Sequence, residues 1–118
     1  MLNRSCTLLL AILLLVPATA TAQTAPRPDA EIAKEIERLK REGRRMFRVN
    51  KLEDAQGKFE AALAISKLPD DELLFNLSFI SWERKQCDKF MLYAAGFIYV
   101  SPGDKEIPGL RSKLVRCT

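Results

Sequence analysis

Histidine is absent from all 118 residues. That absence removes the side chain most often used as a general base near neutral pH and as a metal ligand. The chain also lacks HExxH, GxSxG, a Walker-type phosphate loop and any cysteine–histidine pair. Asp70-Asp71-Glu72 is an acidic cluster, but three adjacent residues at a helix start point in different directions and read as capping and dipole compensation. No catalytic residue, cofactor or metal ligand is therefore expected, and the chain reads as a non-enzyme. Neither sign of charge dominates. The 19 Lys and Arg against 15 Asp and Glu leave +4, too weak to argue for nucleic acid.

Long apolar runs are missing too. Leu8 to Val16 is apolar over nine residues, with Arg4 before it, Pro17 after it, and Ala18-Thr19-Ala20 or Ala20-Thr21-Ala22 beyond. This is the pattern of a secretory signal cleaved after Ala20 or Ala22. A membrane span needs ~20 apolar residues, so an anchor is the weaker reading. Cys6 precedes the run and does not fit a lipoprotein site. The leader is placed at 1–22, a flexible Gln23 to Pro28 lead-in follows, and the mature chain is expected in a periplasmic or extracellular space. Losing Arg4 with the leader lowers the net charge by one.

The rest, 29–118, reads as one all-α domain of five helices near 29–48, 52–66, 70–85, 88–100 and 108–116. The first carries an apolar stripe of Ile32, Ile36, Leu39, Gly43 and Met46–Phe47 among alternating charges, with its basic excess in the last turns. Asn50 is expected to close that helix as a left-handed cap. Asp70 caps the third helix, whose apolar residues cover more than one face. The formal glycosylation sequon Asn76-Leu77-Ser78 falls inside that helix and is discounted. The fourth helix is uncharged from Phe90 to Val100, a surface suited to a partner or to self-association. Pro108 opens the fifth.

The organising stretch is Gly43 to Ala62. Ala55 follows Gly43 by twelve residues, Phe59 follows by four, and Ala62 by three. Ala55, Phe59 and Ala62 share a helical face, and small residues opposite an aromatic let two helices close together. The intervals recur 35 residues on, at Ser78, Phe90, Ala94, Phe97 and Pro102, with the large and small positions exchanged at Phe90 and Ala94. This spacing resembles the tetratricopeptide repeat, with about two repeats and a capping helix. The resemblance covers roughly residues 30–116 and implies a right-handed array of helical hairpins that binds proteins.

The resemblance also implies that the third and fifth helices run parallel, which brings the two mature cysteines, Cys87 and Cys117, near one another as a disulfide. In the family the first helix of each hairpin lines a concave, ligand-holding surface. Carried onto the matching positions, this places Glu37, Lys40, Arg44 and Arg48 beside Phe75, Phe79 and Trp82. Such a surface suits an extended peptide with an acidic group or free carboxylate. The expected function is an exported adaptor that binds another protein or peptide, or itself. The alternative is a basic amphipathic module on an anionic membrane or cell-envelope surface.

Overall fold

The structure, a computed structural model, describes residues 28–118. The expected leader and all of the lead-in except Pro28 lie outside the described residues. Five helices and no strand are present among the described residues: α1 (Asp29–Arg48), α2 (Leu52–Ile65), α3 (Asp71–Glu83), α4 (Cys87–Val100) and α5 (Ile107–Arg116). Each packs on its sequence neighbour, α1 on α2, α2 on α3, α3 on α4 and α4 on α5. The result is two helical hairpins followed by a single helix.

The hairpins turn in the same way. Asn50 and Lys85, 35 residues apart, both adopt φ 59°. The Lys51 N–H donates to the Met46 carbonyl, and the Gln86 N–H to that of Ser81, each at 2.9 Å. Asn50 N–H to Phe47 O and Lys85 N–H to Trp82 O are both 3.0 Å. A left-handed residue closes each first helix by satisfying carbonyls that have no intrahelical partner. The second helices then start at Leu52 and Cys87 and end at Ile65 and Val100, again 35 residues apart.

Helix starts are set by local chemistry. The Asp70 carboxylate accepts from the Leu73 N–H at 3.1 Å and caps α3. Pro28 occupies the cap position of α1, and Asp29 lies in its first turn paired to Lys67. Proline fixes its own φ and presents its carbonyl to the Glu31 N–H at 2.9 Å.

Packing follows the large-and-small exchange. Phe59 is 1% exposed between Ala55 and Ala62, both fully buried. A Cβ at Gly43 would sit 2.7 Å from its ring. In the second hairpin the ring comes from Phe90, and Ser78 and Ala94 are fully buried around it. Phe90 packs on Trp82 at 5.1 Å, and Phe97 on Phe75 at 5.4 Å. Pro102 lies exposed in the turn after α4.

The hairpins are joined by polar groups as well. Gln56, 2% exposed, accepts from Arg84 and donates to Glu60 and Gln86, each of those two bonds 2.9 Å. Glu60 also receives Lys89 and the Tyr93 hydroxyl, both at 3.2 Å. Burial, together with the Glu60 carboxylate, pushes the Tyr93 phenol up to about 12.

Candidate functional site

Side chains of α1 and α3 meet along one face of the array. At one end, α3 begins with Asp70, Asp71 and Glu72, where carboxylates suit the partial positive charge of a helix N-terminus. Lys40 lies against them, its Nζ 2.7 Å from Asp70 and 3.0 Å from Glu72. Arg44 closes on the other oxygen of Glu72. Burial works against the Lys40 ammonium, but the two carboxylates outweigh it and hold its pKa above the usual lysine value.

The expectation that Lys40 faces a ligand is therefore corrected. Its side chain is buried, and its charge is taken up by Asp70 and Glu72. The reason lies in the helix start that follows Pro69. Capping α3 with acids places carboxylates beside α1, and the nearest α1 cation satisfies them. Glu37 stays exposed and only 3.8 Å from Lys40. Arg44 is engaged by Glu72 but partly open.

Further along the face the arrangement changes. Arg48 is exposed and has no hydrogen bond or ion pair among the described residues. It shares a helical face with Arg44 and Phe47, and these three border a hollow of about 210 Å³ with Phe59 and Asn76. Phe47 meets Phe79 edge-on at 5.6 Å, and both are 37% exposed. The hollow thus offers a guanidinium without a partner among the described residues, a carboxamide and the half-open ring of Phe47, with Phe79 against that ring. The sequence does not point to Phe47 or Asn76 as binding residues, and Asn76 is named there only in the discounted sequon. Phe47 reads there as part of the apolar stripe, although its spacing from Arg44 and Arg48 already places it on their face.

The aromatic half of the expected surface is partly covered by α5, with Phe79 left 37% exposed. Lys113 of α5 lies 5.9 Å from the Phe79 ring centre and 5.5 Å from that of Trp82, and Arg116 lies 5.1 Å from Trp82. Cations over ring faces are attracted by the ring quadrupole. Phe75, Phe79 and Phe90 share a hollow of about 160 Å³ with Glu106, Leu110 and Lys113. Cys87 and Cys117 form a disulfide with Cα atoms 5.5 Å apart, fastening the end of α5 to the start of α4.

Two other surfaces stand out. On α4, Met91, Leu92, Ala95 and Tyr99 form an exposed stripe, with Leu92 68% and Tyr99 86% exposed. On α1, Lys34, Arg41, Arg45 and Arg48 form a row of exposed cations, while Arg38 between them is tied to Glu35 and Glu42. Among the described residues no group of His, Cys, Asp and Glu is placed to hold a metal ion, and no helix is long and apolar enough to cross a membrane.

Fold and surface together define an all-helical array of packed hairpins, compatible with a tetratricopeptide-like helical repeat. No family model matches the sequence, and neither a curated protein nor a solved structure is significantly similar to the chain.

Proposed function

We propose that the chain is an exported, non-enzymatic interaction module of the tetratricopeptide type. It binds an extended segment of another protein along the hollow between α1 and α3. The observation that carries this reading is Arg48: a guanidinium without a partner among the described residues, beside the half-open rings of Phe47 and Phe79. A guanidinium in that setting takes a carboxylate in a two-point contact, and the rings take an apolar side chain next to it. The ligand chemistry is thus an apolar residue adjoining an acidic side chain or a free C-terminal carboxylate.

The test is a titration of the isotope-labelled protein with a short apolar peptide bearing a free C-terminus, followed by amide and side-chain NMR shifts. Shifts should cluster at Arg44, Phe47, Arg48, Asn76 and Phe79. The same peptide with an amidated end, or an Arg48→Glu protein, should give about ten-fold weaker binding. Shifts scattered over the surface, or indifference to amidation, would sink the reading.

The cation row on α1 favours the alternative function, association with an anionic lipid or envelope surface. That reading requires salt-sensitive binding to anionic vesicles and none to neutral ones. The α4 stripe supports self-association as the way a second copy joins the module, and sedimentation of a Leu92→Glu protein beside the parent measures it.

A further inference from the structure

We propose that α5 is a latched cover, and that the aromatic face of α3 beneath it is a continuation of the interaction surface, opened by thiol–disulfide exchange at Cys87–Cys117. The proposal rests on the reading of the α1–α3 face as a binding surface, which it extends from Phe47 through Phe79 to Trp82.

Three observations converge. First, α5 adds two residues to the core at its start and lies over the aromatic face of α3 with the rest of its length. It inserts Ile107 and Leu110, and lays Lys113 and Arg116 across Phe79 and Trp82. Second, beyond Leu110 α5 is weakly held apart from the bridge. It has 10 residues, shorter than the ~12–15 that an isolated helix needs in water, so it keeps its shape only while docked. Leu114 is only half-buried, Val115 is exposed, and the connection from α4 passes through exposed Pro102 and Gly103. Third, the bridge can be reached. Cys87 is exposed, and a hollow of about 320 Å³ lined by Trp82, Glu83, Lys85, Gln86 and Cys87 lies against it.

The exchange needs a dithiol reductant. One donor thiolate attacks a bridge sulfur, giving a mixed disulfide and releasing the other bridge sulfur as a thiolate, which takes a proton. The second donor thiol, as its thiolate, then displaces the bound cysteine. Cys87 and Cys117 leave as thiols, reduced by two electrons, and the donor leaves as its disulfide. Without the bridge, the last turn of α5 has no covalent hold, and the cations leave the rings. The rings of Phe75, Phe79 and Trp82 then join the Phe47–Phe79 edge contact in one open strip.

Trp82 is the only tryptophan in the chain and lies under the cover, so it reports opening directly. The oxidised protein and the same protein treated with dithiothreitol are compared by tryptophan emission, acrylamide quenching and far-ultraviolet circular dichroism. On reduction the emission should shift to the red and the quenching constant should rise about two-fold, while helicity falls only by the share of α5. A Cys87→Ser/Cys117→Ser protein should show the open signature with no reductant. Thiols that alkylate freely while Trp82 emission stays unchanged would overturn the proposal, because α5 then remains docked without its bridge. Loss of most helicity on reduction would also overturn it, since the bridge would then hold the whole fold and not a cover. No ligand is needed for this readout, so failure of the latch and failure of the binding surface are seen separately.

Discussion

Two glycines of the first hairpin, one buried and one exposed, should respond to alanine in opposite directions. At Gly43 a Cβ would meet three carbons of the Phe59 ring at 2.7 to 2.9 Å, and the ring is locked between Ala55 and Ala62. Overpacking of this kind costs about 1–3 kcal/mol and outweighs the ~1 kcal/mol that alanine gains in a helix. Gly43→Ala should therefore lower the urea midpoint. At Gly57, in exposed mid-α2, a Cβ would meet nothing within 4 Å, so Gly57→Ala should raise stability by about 0.5–1 kcal/mol. Phe59→Ala should cost about 3–5 kcal/mol, the usual loss for a fully buried ring. A loss under about 1 kcal/mol would remove the pivot of the packing argument. The two buried serines of α3 give another contrast. Ser78 donates to the Phe75 carbonyl at 2.7 Å, whereas the Ser81 hydroxyl is buried with no partner among the described residues. Ser81→Ala should stabilise by about 1 kcal/mol, because an unpartnered buried hydroxyl is removed, and Ser78→Ala should not. The special role of Gly43 was legible from its spacing to Ala55 and Phe59. The orphaned hydroxyl was not, since hydrogen bonding at a buried serine depends on neighbours that a linear pattern does not reveal.

At the scale of elements, the joint between α1 and the start of α3 is electrostatic and therefore depends on pH. Burial alone would raise the Glu72 pKa, but hydrogen bonds from Lys40 and Arg44 outweigh it and hold the carboxyl below its ordinary 4.5. The unfolded chain thus takes up a proton before the folded one. The stability from Glu72 is present above about pH 4.5 and is lost as pH falls through the lower folded value. Lys40, held above its ordinary 10.5, gives stability that is present below that value and lost as pH rises through the folded pKa. Urea midpoints should form a plateau between those limits and fall on either side. Glu72→Gln should flatten the acid limb. Lys40→Ala should cost about 2–3 kcal/mol near neutral pH, less than the ~3–5 for a fully buried pair, because Asp70 and Glu72 keep access to water. The elements themselves were largely legible: the left-handed Asn50, the Asp70 cap and the 35-residue displacement are local signals. Lys85 was not recognised as the second left-handed residue, since lysine carries no preference for that region and adopts it only because the hairpin repeats. The pairing of Lys40 was also hidden. Its acids lie about thirty residues away, and charge on a helix surface looks the same whether its partner is water or a neighbouring helix.

For the whole molecule, stability should grade from the middle outward, because each helix packs chiefly on its sequence neighbours, while α1 and α3, α2 and α4, and α3 and α5 also meet through side chains. α2 and α3 are packed on both sides, and they supply the fully buried Ala55, Ala62, Leu73, Leu77 and Ile80. The first turns of α1 have only Ile32 and Glu35 half-buried, and their tie to the second hairpin connection is the exposed Asp29–Lys67 pair, which adds little. The coarse shape was legible for this reason: a chain of neighbour contacts is written in consecutive stretches of sequence. The binding surface was only half legible, since α5 folds back over rings some thirty residues away and no local pattern records that cover. Native-state hydrogen exchange measures the gradient. Amides of α2 from Phe59 to Ala62 and of α3 from Leu77 to Ile80 should exchange slowest and at a common free energy, the global one. Those at Ala33 to Glu35 should exchange with an opening cost of only about 1–2 kcal/mol. In the oxidised protein α5 should fall between these groups, because the bridge removes most of its freedom to open. On reduction its amides should join the fast class while α2 and α3 keep their protection. Equal protection across α1, α3 and α5 would instead describe a single cooperative block. A surface that can be uncovered at one end would then have no physical basis in this fold.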